Sequence, residues 1–198
     1  MTKLQTILLE YFMIARSTLN VDYVWDIPEK LPIPFARGND SRARANIRLR
    51  RELRNAWTNE PARRYELAAW YIRDWDGIKR NDDATIKVYC DSAEAELASS
   101  RWKGVATWSK ILAIRNPEKY PIYDARVAAA IAAIQLLKGT TNPVLFPQVP
   151  SRNKAIAEFQ HRIKKVGDSN GKTYNDYVPL SLSWTVRSHA CPAHERAA

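Results

Sequence analysis

Lys110 and Asp124 place an amine and a carboxylate fourteen positions apart in the sequence. Cleavage of an N-glycosidic bond develops positive charge on the sugar, and a carboxylate beside the anomeric carbon stabilises that charge. A neutral lysine amine displaces the base and forms a Schiff base with the opened sugar, and elimination of the 3′ phosphate then nicks the strand. These two residue types together therefore suggest N-glycosidic chemistry on a nucleic acid.

The expected positions of both residues suit this chemistry. Lys110 lies near the start of a helix predicted from about 106 to 115, where positive charge is disfavoured, and an attacking amine must be neutral. Asp124 directly precedes an alanine-rich helix predicted over 125–137, whose free amides favour an anion. Two structural alternatives stay open: an Asp there is most often only a helix cap, and a helical Lys is most often a surface residue.

The segment around these residues resembles the helix-hairpin-helix DNA glycosylase superfamily, in its 8-oxoguanine DNA glycosylase-like branch. The resemblance rests on Gly104-Val105-Ala106 in a hairpin, on Lys110 in the helix after it, and on Pro121-Ile122-Tyr123-Asp124-Ala125-Arg126-Val127. A weaker similarity to small bacterial relatives covers 70–81 (WYIRDWDGIKRN). The resemblance implies that Lys110 is the nucleophile, that Asp124 is the catalytic carboxylate, and that an oxidised purine such as 8-oxoguanine is excised with AP-lyase activity.

Some residues depart from the family pattern. The usual Leu-Pro-Gly-Val-Gly hairpin is replaced by residues 102–106 (WKGVA), and Lys110 lies about two positions further along than usual. These departures favour a second hypothesis, a non-enzymatic nucleic-acid-binding protein with the same fold. A third hypothesis, a subunit of a bacterial defence operon with an operon-encoded protein partner, rests on the resemblance alone.

The hairpin is also a candidate phosphate-binding element. A glycine permits close approach of a phosphate, and exposed backbone amides could hold it. Short glycine hairpins between helices are common, so this pattern alone is weak evidence. The candidate DNA-binding residues are Arg101, Lys103, Gly104, Val105, Ala106, Thr107 and Arg126.

The charge of the chain is strongly basic, with a formal net charge of +10. Nine arginines lie between Arg37 and Arg64, against Asp40, Glu52 and Glu60. Arginine forks match phosphate oxygens, which predicts double-stranded DNA as the partner, although a solvated helix face explains the arginines equally well. We call the candidate contact residues the basic track: Arg42, Arg44, Arg48, Arg50, Arg51 and Arg54.

Helical periodicity dominates the 198 residues, and strand alternation is weak. We expect an all-α, helix-hairpin-helix glycosylase-like bundle, with a single domain over 1–188, a hairpin motif at about 92–115 and a flexible tail over 189–198. The domain could form two small lobes around a cleft. About eight helices are expected, near 4–15, 41–57, 61–76, 82–99, 106–115, 125–137, 151–166 and 174–186.

The remaining expectations concern ligands and location. Cys90 and Cys191 cannot supply the four thiolates of an iron–sulfur cluster, and no Cys–His spacing suits zinc, so neither a metal nor a cofactor is expected. The apolar stretch 4–15 contains Glu10 and is too short to span a bilayer. No membrane association is expected, and a reducing cytoplasm is the expected location. The lesion and the oligomeric state are not predicted.

Overall fold

The computed structural model describes residues 23–99, 103–137 and 154–162, together with residues 6, 9, 10, 13, 19 and 149. This part of the chain contains α-helices and no β-strand, which confirms the all-α class. The helices are α1 (Arg42–Asn59), α2 (Arg64–Trp70), α3 (Asp83–Asp91), α4 (Glu94–Ala98), α5 (Val105–Arg115), α6 (Ala125–Leu137) and α7 (Lys154–Arg162). The expected helix at 174–186, the tail after 188 and Cys191 lie outside the described residues, as does most of the expected helix at 4–15.

Helix α5 forms the centre of the fold. Nine of its residues, from Val105 to Ile114, are buried, so the helix is enclosed on every side. It contacts α1, α2, α3 and α4, as well as the π-helical turn Tyr71–Trp75 that continues α2. A helix with apolar residues all round is stable only inside a core. The polar residues Thr107, Ser109 and Lys110 of α5 are therefore buried with their apolar neighbours.

Local sequence signals place most helix boundaries. Ser41 caps α1 by accepting a hydrogen bond from the backbone amide of Arg44 at 3.4 Å. Pro61 opens a 3₁₀ turn, Pro61–Arg63, that leads into α2. Asp82 caps α3 through the amide of Thr85 at 2.6 Å. These three boundaries agree with the sequence-based expectations.

The helix expected near 82–99 is instead two helices, α3 and α4. Ser92 and Ala93 adopt extended backbone, with ψ angles of 146° and 150°. The guanidinium of Arg115 donates to the carbonyls of Tyr89, Cys90 and Ser92, which satisfies the last turn of α3. The break is stabilised by a long-range contact, which helical periodicity does not encode.

No helix among the described residues is long and apolar enough to cross a membrane.

Candidate active site

Lys110 is the central ionisable residue of α5, and its side chain is fully enclosed. Its Nζ lies 3.0 Å from Oδ2 of Asp76, and the two side chains are 0% and 6% exposed. The same amine donates to the carbonyl of Ala106, one helical turn earlier, at 2.7 Å. The alternative of a surface lysine is therefore wrong, and Lys110 belongs to a buried ion pair.

Asp76 was not among the residues singled out from the sequence. It follows the π-helical turn Tyr71–Trp75, and its amide donates to the carbonyl of Tyr71 at 3.2 Å. Gly77 comes next with φ at +78°, which lets the chain reverse at once. π-helical turns are rare and occur often at functional sites. The sequence offers one indication of Asp76: it is an acidic residue directly before Gly77, within the stretch 70–81 that is weakly similar to small bacterial relatives.

Asp124 caps α6, as the sequence predicts. Its Oδ1 accepts from the amides of Arg126 at 2.9 Å and Val127 at 3.0 Å. Its Oδ2 lies 3.7 Å from the Arg126 guanidinium, and its side chain is 14% exposed. The carboxylate that contacts the Lys110 amine is thus that of Asp76, and Asp124 lies at the outer, partly solvated edge.

The charges of Lys110, Asp124 and Arg126 all act on the pKa of Asp76. Burial raises the pKa of Asp76, the positive charge of Lys110 opposes that rise, and the negative charge of Asp124 adds to it. The guanidinium of Arg126 has a lowering effect on the same pKa. Ser109 and Tyr123, which directly precede Lys110 and Asp124, are hydrogen-bonded to each other, so the two sequence-predicted catalytic residues occupy one neighbourhood rather than opposite faces of the molecule.

Aromatic side chains form a layer beside the Asp76 turn. Trp75 stacks on Tyr71 with ring centroids 4.4 Å apart, and Trp25 lies 5.8 Å from Trp75. The Trp25 indole donates to the Trp75 carbonyl at 3.0 Å. Asn46 accepts from the Trp75 indole at 2.7 Å and donates to the Trp25 carbonyl at 3.0 Å. The sequence did not predict this hydrogen-bonded aromatic layer, because the chain contains many aromatic residues and the sequence alone does not show which of them pack together.

The outer end of this layer is exposed. The guanidinium of Arg126 lies 4.6 Å from the centre of the Trp25 ring, and Arg126 is exposed. At the inner end, the hydroxyl of Tyr71 is buried and has no hydrogen-bond partner within the described ranges. The layer therefore runs from a surface cation into the core. By contrast, Trp108, Tyr120 and Tyr123, which lie near the site in sequence, are core residues.

The hairpin before α5 is only partly exposed. Lys103 and Gly104 are exposed, Ala106 is half-buried, and Val105 and Thr107 are buried. Gly104 has φ at +77°, and the Tyr89 hydroxyl occupies the place where a Cβ would lie. The close approach that the glycine permits is thus made by a side chain of α3. Arg101 lies outside the described residues.

A second basic segment lies next to the hairpin. The amide of Asn81 donates to the hydroxyl of Thr107, which joins the turn after Asp76 to the first turn of α5. Lys79 and Arg80, just before Asn81, are exposed. Lys79 pairs with Asp74 at 2.9 Å, with both side chains at least half exposed. The exposed cations near the hairpin therefore include Lys79 and Arg80 in addition to Lys103.

The basic track does not form one surface. Arg42 and Arg48 pair with Asp26 and Asp40, each at 2.7 Å. Arg50 is half-buried and lies close enough to Tyr23 and Tyr71 to oppose the rise in pKa that burial causes in both phenols. Three members are exposed on the outward face of α1: Arg44, Arg51 and Arg54.

The buried Cys90 thiol does not compete with Lys110 as a nucleophile. Burial raises the pKa of the Cys90 thiol to about 12, so the thiol stays protonated at neutral pH. No group of three or more His, Cys, Asp or Glu side chains among the described residues could hold a metal ion.

Comparison with known proteins adds no relative. No protein-family model matches the chain, and neither a curated protein nor a solved structure matches it significantly.

Proposed function

We propose that the protein is a DNA glycosylase with AP-lyase activity, in which Lys110 attacks the sugar and Asp124 stabilises the positive charge that develops there. One observation carries the proposal: a fully buried amine, that of Lys110, lies 3.0 Å from the Asp76 carboxylate. An oxidised purine such as 8-oxoguanine in double-stranded DNA is the substrate that the sequence resemblance favours.

The burial of this ion pair supports a chemical role. Removing an ammonium and a carboxylate from water is costly, and well-packed apolar residues often stabilise a fold as well or better. The neighbours of Lys110 on α5 are apolar, since Ile111, Leu112 and Ile114 are fully buried. An apolar side chain at position 110 would therefore suit its surroundings. Desolvation is one of the conditions that prepares a lysine for Schiff-base chemistry, whereas a carboxylate partner favours the ammonium ion and must take up its proton before the amine attacks.

Reaction requires a path from the enclosed amine to the DNA. The lysine side chain has four flexible methylene groups, so its amine can leave the Ala106 carbonyl and turn toward the more exposed Asp124. Arg126 and Trp25 lie at the outer end of the aromatic layer beside the site. Displacement of these two side chains by the substrate would open the site, in keeping with catalytic contacts that form only in the complex.

The exposed cations around the site supply a surface for the phosphate backbone. Lys103 lies at the hairpin, Arg80 lies on the adjoining turn, and Arg126 lies at the start of α6. Cationic side chains beside a reactive pair hold the strand in register while the reacting nucleotide enters. Base flipping would then bring the sugar to the amine.

Borohydride trapping tests the proposal directly. Duplex DNA with an abasic site or 8-oxoguanine is incubated with the protein and sodium borohydride, and the adduct is mapped by mass spectrometry. We expect a covalent adduct at Lys110 that Lys110→Met abolishes and that Lys79→Met, a change at an exposed lysine, preserves. Asp124→Asn should lose excision of the base but keep the adduct with a preformed abasic site. An adduct at another lysine, or none on either substrate, contradicts the proposal.

A second candidate function is non-enzymatic nucleic-acid binding, and the complete enclosure of Lys110 favours it. In that case the ion pair is structural, and the exposed Arg44, Arg51 and Arg54 hold phosphates. The expected result is salt-sensitive binding of undamaged and damaged duplex alike, without a trapped adduct.

A further inference from the structure

We propose that Asp76 is a third catalytic residue, which accepts the ammonium proton of Lys110 as the amine attacks the sugar. The inference rests on the proposed function, because it assigns the proton acceptor of that reaction. It begins from a chemical need: a lysine held as an ammonium ion has no lone pair, so attack requires a base within hydrogen-bond reach.

The amine has two partners among the described residues, and one of them, Asp76, is a base. The Ala106 carbonyl accepts a hydrogen bond from Nζ, but a backbone carbonyl does not take the proton. Oδ2 of Asp76 lies 3.0 Å from the same nitrogen. The Asp124 carboxylate instead accepts from two α6 amides and lies 3.7 Å from the Arg126 guanidinium. The geometry thus gives the two carboxylates different roles: Asp76 accepts the proton, and Asp124 stabilises the positive charge that develops on the sugar.

The surroundings of Asp76 favour its neutral form. Its side chain is 6% exposed, and burial is the main cause of its raised pKa. The charged and titratable groups that face it come from three elements: Lys110 of α5, Asp124 and Arg126 at the start of α6, and Tyr71 of the π-helical turn. A desolvated carboxyl group near a second carboxylate accepts a proton more readily than an exposed one does.

The step balances without any further reagent. The bond from Lys110 Nζ to C1′ forms while the bond from C1′ to the base nitrogen breaks, and that electron pair leaves with the base. The ammonium proton moves to Asp76 Oδ2, and Asp76 then transfers it to the departing base. Asp76 is a carboxylate again when the base has left.

A shared proton has a specific consequence for pH dependence. Over the pH range between its two ionisations, the pair of Lys110 and Asp76 shares one proton. The fraction of molecules that carry this proton on Asp76 therefore does not change with pH. The reactivity of the Lys110 amine should therefore stay level across neutral pH. An amine that must lose its proton to water becomes about tenfold more reactive for each pH unit, until it is fully neutral.

The closing experiment measures this reactivity without DNA. The folded full chain is treated with formaldehyde and cyanoborohydride across neutral pH, and the methylation rate of each lysine is read by peptide mass spectrometry. We expect a level profile for Lys110 and a rate that rises about tenfold per pH unit for exposed Lys79. A Lys110 rate that rises in parallel with Lys79, or no methylation of Lys110 at any pH, overturns the inference.

Variants of the same turn sharpen the result. Asp76→Asn should convert the level profile of Lys110 into one that rises with pH, whereas Asp76→Glu should retain the level profile. The matched control is Asp74→Asn, which removes the exposed partner of Lys79 and should leave the Lys110 profile unchanged. A level profile in Asp76→Asn contradicts the inference. If that variant does not fold, the wild-type and Asp76→Glu profiles decide the question.

The DNA reaction separates the inference from the function on which it rests. The same pH series with abasic duplex and borohydride should give a level wild-type profile and a rising one for Asp76→Asn. A level formaldehyde profile without any DNA adduct refutes the glycosylase proposal while the proton transfer stands. A DNA adduct at Lys110 whose yield rises about tenfold per pH unit in the wild type refutes the role of Asp76 alone.

Discussion

Ser109 and Tyr123 exchange two hydrogen bonds across the site. The Ser109 hydroxyl donates to the Tyr123 carbonyl at 3.2 Å and accepts from the Tyr123 amide at 3.1 Å. Each residue directly precedes a candidate catalytic residue, Lys110 on α5 and Asp124 at the start of α6. The contact therefore sets the position of the Asp124 segment against the central helix.

Removal of this contact should affect both stability and activity. Ser109→Ala removes two buried hydrogen bonds to the Tyr123 backbone, which should lower the free energy of unfolding by about 1–3 kcal/mol. Chemical denaturation measures this loss. The matched control is Thr58→Ala, because that exposed hydroxyl bonds to the Arg54 carbonyl and its loss should be small. Base excision by Ser109→Ala should fall more than adduct formation with a preformed abasic site, since Asp124 is displaced; equal stability of the two variants contradicts this account.

The ion pair between Lys110 and Asp76 should contribute less to stability than its burial suggests. Lys110→Met alone leaves a buried carboxylate unpaired and should cost about 3–5 kcal/mol in the free energy of unfolding. The double variant Lys110→Met/Asp76→Leu removes both charges and should be as stable as the wild type, or up to about 4 kcal/mol more stable. Urea denaturation of the three proteins at neutral pH measures both differences. A double variant that is less stable than the single one would make the pair a structural requirement and weaken the catalytic proposal.

The sequence predicts two of the three residues of the candidate site, Lys110 and Asp124, but not Asp76. Asp124 was predictable because helix capping is local: the carboxylate bonds amides two and three positions later. The position of Lys110 on α5 was also predictable, because apolar residues follow it in the sequence and Gly104 directly precedes the helix. Its partner Asp76 was not, because the contact joins residues 34 positions apart through a π-helical turn. Similarly, the break between α3 and α4 depends on Arg115, which belongs to a different helix.

The raised pKa of Asp76 predicts a pH dependence of stability with a definite sign. The folded protein holds this proton more tightly than the unfolded chain does, so the group stabilises the fold fully below its unfolded pKa of about 3.9. That contribution is lost as the pH rises through the higher folded pKa. The difference in unfolding free energy between the wild type and Asp76→Asn should therefore fall with rising pH, by at most about 1.4 kcal/mol per pH unit.

Denaturation at a series of pH values from mildly acidic to neutral measures this slope. Subtracting the unfolding free energy of Asp76→Asn from that of the wild type cancels the contributions of the titratable groups that both proteins share. Asp74→Asn serves as the control, because its carboxylate is half exposed and pairs with an exposed lysine. A difference that grows as the pH rises would show that the Lys110 charge outweighs burial, and Asp76 would then be unsuited to hold a proton.

The DNA-binding surface is predicted to lie at the hairpin rather than along the outward face of α1. Lys103 and Arg80 are exposed on two segments that the contact between Asn81 and Thr107 joins. Lys103→Glu/Arg80→Glu should weaken binding of all duplex sequences about equally and reduce the slope of log K against log salt by about 1 for each lost phosphate contact. Fluorescence anisotropy over a series of salt concentrations measures both effects.

The matched comparison is Arg44→Glu/Arg51→Glu, which makes the same charge change on the outward face of α1. Both arginines are exposed, but they lie on the side of α1 away from Asn46, the α1 residue that holds the aromatic layer beside Asp76. In the proposed reaction DNA reaches Lys110 past Arg126 and Trp25, on the Asn46 side of α1, so this variant should bind abasic duplex nearly as well as the wild type. If it loses more affinity than the hairpin variant, DNA lies along α1, away from the amine, and non-enzymatic binding becomes the better explanation of the basic charge.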